Sequence, residues 1–82
     1  MSGKIFTVHA PLTGTFYRRP SPEDPAYVEE GDEIKAGKVL CIIESMKVFN
    51  EVRCEKGGVI RRIFIEDEDP VMINQLMFEI EI

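Results

Sequence analysis

The chain has 82 residues, of which 44% are hydrophobic and 30% charged, and 15 acidic side chains outnumber 10 basic ones for a net charge of −5. That composition is too apolar for a disordered segment, and the sequence has no run of about 20 apolar residues to cross a membrane as a helix. The acidic balance, with Arg18-Arg19 and Arg61-Arg62 as the only adjacent basic pairs, argues against a nucleic-acid partner. We therefore expect one small domain over residues 1–82, too small for a deep catalytic cleft.

Short β-strands are predicted along the chain, because its apolar residues recur with a period of two rather than 3.6. Residues 5–8 and 59–65 are rich in β-branched and aromatic side chains, and residues 78–82 alternate strictly between apolar and acidic. Turn-forming residues separate such runs at positions 11–14, 31–32, 36–37, 56–58, 67–70 and 74–75. Because the runs between these turns show the period of two and the residue types of strands, the fold class is predicted to be all-β, with about eight strands.

The two halves of the chain resemble each other in sequence. Residues 14–18 align with residues 58–62 at an offset of 44, and residues 32–44 align with residues 69–81 at an offset of 37. The first half therefore carries seven additional residues. This internal repeat predicts a flattened barrel or sandwich with approximate two-fold symmetry.

The additional residues belong to a proline-rich segment at about residues 19–26. Pro20, Pro22 and Pro25 lack the backbone N–H that a central strand needs, so the segment is predicted to be a protruding loop. From the residues alone, a tolerated surface insertion and a functional appendage are equally good interpretations.

The two cysteines, Cys41 and Cys54, lie in apolar, strand-like runs without a neighbouring histidine or a Cys-x-x-Cys spacing. If these runs form a hairpin about Met46-Lys47, Cys41 faces Val52 and Cys54 faces Val39. The thiols then lie diagonally across one face, at about 7–8 Å between Cα atoms, which is beyond disulfide reach. Two reduced, buried thiols are the expectation.

The tip of that hairpin is unusual. Two-residue hairpin loops favour Asn-Gly or Asp-Gly because both positions need positive φ, and Met46-Lys47 does not fit this preference. Two interpretations remain open at this point: an ordinary solvated lysine above a methionine packed under the turn, or an exposed functional site.

The residues around the tip resemble the attachment hairpin of biotinyl domains, within residues 44–50. The hairpin reads Glu44-Ser45-Met46-Lys47-Val48, and a glycine pair begins ten residues after the lysine. Residues 11–22 and 27–32 are similar to biotin carboxyl carrier proteins of bacterial and plastid acetyl-CoA carboxylases, in which a proline-rich thumb rises beside the biotin. The resemblance covers about residues 6–82 and implies a flattened β-barrel of two four-stranded antiparallel sheets with quasi-two-fold symmetry.

Carried over to this chain, the resemblance implies that biotin is attached covalently to Lys47 by a biotin protein ligase. Met46 precedes the lysine as in the family, and Glu44 is expected to set the register or to serve ligase recognition. Ser45 and Val48 stand where the family usually has Ala and Met, which are modest departures. The thumb residues implied are Pro20, Ser21, Pro22, Glu23, Asp24 and Pro25.

The function implied is that of a non-catalytic carrier. Biotin carboxylase would carboxylate the biotin, and a carboxyltransferase would pass the carboxyl group to acetyl-CoA, giving malonyl-CoA for fatty acid synthesis. The acidic turn at residues 66–69 is expected either to assist docking on these enzymes or to be only a solvated turn. Because no leader pattern precedes the first strand, we expect a cytoplasmic protein, or a stromal one in plastids, with no membrane or nucleic-acid partner.

Three alternatives are kept open. A lipoyl carrier shares the fold, but its motif places Asp directly before the lysine, where this chain has Met46. Carriers of other biotin-dependent carboxylases or decarboxylases keep the Met-Lys pair but generally lack the thumb. An unmodified interaction module would leave Lys47 bare.

Overall fold

Residues 3–82 are described by a computed structural model and form eight β-strands; the first two residues of the predicted domain, Met1 and Ser2, lie outside the described part. The strands are β1 (Ile5–His9), β2 (Gly14–Tyr17), β3 (Glu33–Ile34), β4 (Val39–Ser45), β5 (Val48–Arg53), β6 (Gly58–Ile63), β7 (Pro70–Val71) and β8 (Leu76–Glu81). Residues 3–82 contain no helix long and apolar enough to span a membrane. The all-β prediction is confirmed.

The strands form two four-stranded antiparallel sheets, as expected for a flattened barrel. The first sheet has the order β1-β8-β6-β3 and the second has the order β5-β4-β2-β7. Exchanging β1 with β5, β2 with β6, β3 with β7 and β4 with β8 converts one order into the other. The strand order therefore has the two-fold symmetry that the sequence repeat predicts.

The repeat extends to backbone conformation. Gly31 and Gly37 have positive φ values of 95° and 92°, and the residues 37 positions later, Glu68 and Asn74, also have positive φ, at 71° and 73°. Glycine adopts this left-handed region without steric cost, whereas a glutamate does so with strain. The second half thus has the same backbone geometry as the first, with Glu68 and Asn74 at the positions of the two glycines.

Side chains from both sheets meet in one core. Phe16 of β2 and Phe78 of β8 lie at its centre, with ring centroids 6.0 Å apart. Every buried residue in residues 3–82 is hydrophobic, and no polar or charged residue is buried there. Apart from the two cysteines, the buried side chains of residues 3–82 carry no titratable group.

The cysteine prediction is confirmed in its main point, because Cys41 and Cys54 are both buried and free. Burial raises the pKa of the Cys41 thiol to about 12, which makes it unreactive at neutral pH. One predicted pairing is wrong: Val39 faces Arg53 rather than Cys54, although Cys41 does face Val52. The cause is a register shift between Val39 and Cys41, after which the Cys54 N–H donates to the Lys38 carbonyl at 2.9 Å.

Candidate functional site

The β4–β5 hairpin has the tightest possible loop. Its pairing runs without interruption from Cys41–Val52 to Ser45–Val48, so only Met46 and Lys47 form the turn. Their φ values are 52° and 64°, so both residues adopt the left-handed conformation of a type I′ turn. The twist of the flanking strands imposes this conformation although neither residue is glycine, asparagine or aspartate.

Two polar side chains hold the turn in place. The Glu44 carboxylate accepts a hydrogen bond from the Lys47 backbone N–H at 3.0 Å. The Asn50 side-chain amide donates to the Ile43 carbonyl at 3.2 Å and to the Val48 carbonyl at 3.3 Å. The role of Asn50 was not identified from the sequence. The available signal was that asparagine is disfavoured inside β-strands, so its presence in one suggests a specific contact.

The tip is fully open to a partner. Met46 is 91% exposed, so the interpretation of a methionine packed under the turn is wrong. Val48 and Phe49 are also more than half exposed, at 58% and 63%. Lys47 is exposed and takes part in none of the ion pairs found in residues 3–82. The lysine amine is therefore presented at an apolar tip that a protein partner could enclose from several sides.

Replacing Met46-Lys47 with Asn-Gly should raise stability while removing the amine. Asn and Gly adopt positive φ at little cost, so we expect the double variant to unfold with a free energy about 1–2 kcal/mol higher in urea. Lys47→Ala is the matched control: it removes the amine but keeps a β-carbon, and should show no such gain. Equal stability of the double variant and Lys47→Ala would contradict the strain argument.

The proline-rich loop rises from the end of β2 and is closed at its base by a hydrogen bond from the Tyr27 N–H to the Arg18 carbonyl, at 2.8 Å. Inside the loop, the Ser21 hydroxyl donates to the Asp24 carboxylate at 2.8 Å. The Arg19 guanidinium donates to the Asp24 carbonyl at 3.4 Å. The loop is therefore internally braced, and we call residues 19–26 the thumb.

Asp67, on the turn between β6 and β7, fixes the thumb from outside. One of its carboxylate oxygens accepts from the Arg18 N–H at 2.8 Å, and the other lies 3.5 Å from Arg19 Nε. The second contact is an ion pair rather than a hydrogen bond, because Arg19 Nε is buried and has no hydrogen-bond partner.

The acidic turn at residues 66–69 is thus hydrogen-bonded to the rest of the fold and is not simply a solvated turn. The Phe16 N–H donates to the Asp69 carbonyl at 2.8 Å, and the Glu68 N–H donates to the Phe16 carbonyl at 2.7 Å. These backbone bonds attach the turn to β2, and Asp67 attaches it to the thumb. Docking by this turn stays a prediction.

A groove of about 290 Å³ separates the thumb from the outer face of the second sheet. Its floor consists of Tyr17, Ile42 and Phe49, and the rings of Tyr17 and Phe49 lie 6.4 Å apart. The remaining lining residues are Arg19, Pro20, Ser21, Pro22, Asp67 and Glu68. Since Phe49 pairs with Glu44 next to the tip, the groove and the lysine-bearing turn are neighbours on one sheet. We call it the thumb groove.

The structure therefore brings the hairpin residues and the thumb to the same face. Of the predicted thumb residues, Pro20, Ser21 and Pro22 line the groove, while Glu23 and Pro25 are exposed away from it. Asp24 braces the thumb through Ser21 and Arg19. Among residues 3–82, no group of three or more His, Cys, Asp or Glu side chains could hold a metal ion.

Comparison with known proteins finds relatives of similar sequence. The chain is 45% identical over 81 residues to the biotin carboxyl carrier protein of acetyl-CoA carboxylase from Haemophilus influenzae, covering 99% of this chain and 51% of the relative. It is 44% identical over 71 residues to the chloroplastic biotin carboxyl carrier protein of acetyl-CoA carboxylase 2 from Arabidopsis thaliana, covering 87% of this chain and 28% of that protein. The chain spans about half or less of the length of these relatives.

The chain is also similar to a solved structure and matches a family model. The Kluyveromyces lactis urea carboxylase superimposes with a TM-score of 0.78 and 25% identity over 98% of this chain and 6% of the larger one. The model of the family described as "Biotin-requiring enzyme", Biotin_lipoyl, matches residues 6–80. The chain therefore belongs to the biotin/lipoyl attachment family of biotin-requiring enzymes.

Proposed function

We propose that this chain is the biotinyl domain of a biotin carboxyl carrier, with biotin joined to Lys47. The observation that carries the proposal is the placement of one exposed primary amine on a type I′ tip between the exposed side chains of Met46 and Val48. The names of the relatives from Haemophilus influenzae and Arabidopsis thaliana support biotin as the attached group.

The residues present fit covalent attachment by a separate enzyme. Acylation of Lys47 needs an unprotonated amine and an activated biotin carboxylate. The chain contributes position: the Glu44 carboxylate accepts a hydrogen bond from the Lys47 backbone N–H at 3.0 Å, and the Lys47 side chain is exposed. A biotin protein ligase would therefore supply activation, while this fold supplies a lysine held in one place.

The exposed tip and the names of the relatives support a carrier role. We propose that the attached biotin takes up a carboxyl group at a biotin carboxylase and gives it up at a carboxyltransferase, with acetyl-CoA as acceptor. The tether raises the local concentration of the cofactor at both enzymes, which is the physical advantage of a carrier over free biotin. The bacterial and chloroplastic relatives support a cytoplasmic or plastid location.

Transfer of labelled carboxyl groups tests this proposal. The biotinylated protein, incubated with a biotin carboxylase, MgATP and labelled bicarbonate, should acquire label, and should lose it to acetyl-CoA when a carboxyltransferase is added. The unmodified protein is the control and should stay unlabelled. A biotinylated protein that is not labelled would contradict the proposal, and label that passes to other acyl acceptors but not to acetyl-CoA would reassign it to another biotin-dependent carboxylase.

Shortening the thumb should alter turnover without unfolding the protein. Deleting residues 20–25 joins Arg19 to Ala26, so that Arg18 and Tyr27 become the ends of a four-residue turn closed by the existing 2.8 Å hydrogen bond. We expect the free energy of unfolding to change by no more than about 1 kcal/mol. The carboxyl transfer rate should fall about threefold or more, because the biotin arm is less confined near the tip. Unchanged transfer with a folded variant would make the thumb a tolerated insertion.

A further inference from the structure

We propose that Met72 and Ile73, on the turn between β7 and β8, form a second contact surface for the enzyme that acylates Lys47, and that they direct this enzyme to the hairpin end of the domain. The inference rests on the proposed function, since it takes a biotin protein ligase as the partner. The ligase surface that meets the turn would be apolar and uncharged, like the core of a protein–protein interface.

The exposed apolar side chains of the protein are concentrated at one end. Within residues 3–82, every large hydrophobic side chain that is more than half exposed lies on the β4–β5 hairpin or on the β7–β8 turn. The turn contributes Met72, which is 65% exposed, and Ile73, which is 55% exposed. The hairpin contributes Met46, Val48 and Phe49. A grouping of exposed apolar side chains on a small domain indicates a surface that meets a partner.

The strand register places the turn beside the lysine-bearing tip. Thr15 of β2 pairs with Glu44 of β4 on one side and with Pro70 of β7 on the other. Because β4 and β7 run in the same direction, Met46 and Met72 each follow two residues later, at the same level beyond the end of the sheet. Two interstrand spacings, or about 10 Å, separate their backbones. One partner can therefore cover both the tip and the turn.

Side chains hold the backbone of the turn. The Met72 N–H donates to the Gln75 side-chain oxygen at 2.8 Å, and the Ile73 N–H donates to the Thr13 hydroxyl at 2.9 Å. Both residues thus have their backbone donors bonded within the domain while their apolar side chains are exposed. Because this backbone is already ordered, a partner that packs on the two side chains loses little conformational entropy.

The equivalent turn in the first half of the chain has a different surface. The residues 37 positions earlier are Lys35 and Ala36, on the turn between β3 and β4. The two turns share a backbone form, since Gly37 and Asn74 both have positive φ. Lys35 is an exposed amine in a turn without large apolar side chains. The apolar surface at the hairpin end would therefore favour acylation of Lys47 over Lys35.

The short reach of the lysine side chain favours the ligase as the partner. The ligase must bring its active site to the Lys47 amine, which the four-carbon stem carries only about 6 Å from the backbone. A standard interface covers about 800 Å² on each partner, so a protein seated on the tip extends over a turn about 10 Å away. A carboxylase or a carboxyltransferase acts on the ring at the end of the longer biotinyl arm and needs less contact with the turn.

Ligase kinetics with the double variant Met72→Gln/Ile73→Thr test the proposal. Both substitutions remove apolar surface from exposed side chains, so the urea midpoint should stay close to that of the wild type. The unmodified protein is the varied substrate, at saturating ATP and biotin. We expect the KM of a biotin protein ligase to rise about tenfold with kcat unchanged, because the lost contacts are made equally in the ground and transition states.

The matched control is Ile5→Thr/Val59→Thr. Both residues pair with Glu81, at the end of the first sheet remote from the tip, and both are exposed apolar side chains. This control should keep the wild-type KM. If the turn variant does not fold, Met72→Gln alone replaces it, with an expected rise of about threefold. An unchanged KM in the turn variant, or an equal rise in the control, would overturn the inference.

Carboxyl transfer separates the ligase from the enzymes that act later. The turn variant, biotinylated to completion by prolonged treatment with ligase, should accept labelled carboxyl groups from a biotin carboxylase and pass them on within about twofold of the wild-type rate. Slow carboxyl transfer with normal biotinylation kinetics would assign the surface to those enzymes and overturn the inference. Failure of the proposed function is distinct, since the wild-type protein itself would then acquire no biotin or accept no carboxyl group.

Discussion

Lys47→Arg is expected to abolish biotin attachment completely while leaving the fold intact. The guanidinium of arginine stays protonated and is not an acyl acceptor, although it keeps the positive charge of the lysine. The side chain is exposed, so the substitution removes no packing. After co-expression with a biotin protein ligase, a shift of the protein band by avidin on a native gel reports attachment.

Lys35→Arg is the matched control for this experiment, because Lys35 is also exposed but lies outside the hairpin. We expect the full avidin shift for Lys35→Arg and none for Lys47→Arg. An avidin shift that survives in Lys47→Arg would show that another residue carries the biotin. The account of the tip given above would then be wrong.

Adding a methyl group at Gly14 or Gly58 should cost about 3 kcal/mol of stability each. A β-carbon at Gly14 would overlap the Glu44 carbonyl oxygen and lie 2.8 Å from Ile43 Cγ2. At Gly58 it would overlap the Glu81 carbonyl oxygen and lie 2.9 Å from Ile80 Cγ2. Backbone atoms in a sheet cannot move aside cheaply, so each alanine variant forces two strands apart.

Urea unfolding of Gly14→Ala and Gly58→Ala measures this cost. Gly3→Ala serves as the control, since a β-carbon there has no atom within 4 Å. The effect is a large part of the roughly 5–10 kcal/mol expected for a domain of this size. Variants that unfold at the same urea concentration as the control would show that the two sheets tolerate wider strand spacing at these positions.

Much of the fold was predictable because its information is local and repeated. Strands were predicted from the period of two in residues 78–82 and from the turn residues that separate the apolar runs. Two equivalent halves were predicted from the sequence matches at offsets of 44 and 37. The structure extends the repeat to the left-handed positions, where Glu68 replaces the glycine of the first half. The register shift between Val39 and Cys41 was not predictable, since it accompanies a contact between the Cys54 N–H and the Lys38 carbonyl.

The candidate site was predictable only in part. The Met-Lys pair and its flanks pointed to Lys47, and turn chemistry indicated that the tip was unusual. The sequence did not show that Asp67 fixes the thumb, because that contact joins residues 49 positions apart. Nor did it show that two acidic residues of the turn, Asp67 and Glu68, line the groove. Such pairings depend on how the two sheets stack and are not visible in strand periodicity.

Intact-mass analysis of the protein after co-expression with a biotin protein ligase, followed by fragmentation to locate the modification, tests the central claim most directly. The account predicts a mass increase of one biotinyl group located at Lys47. A lipoyl-sized increase, a biotinyl group on any other residue, or an unchanged mass under saturating ligase would contradict it.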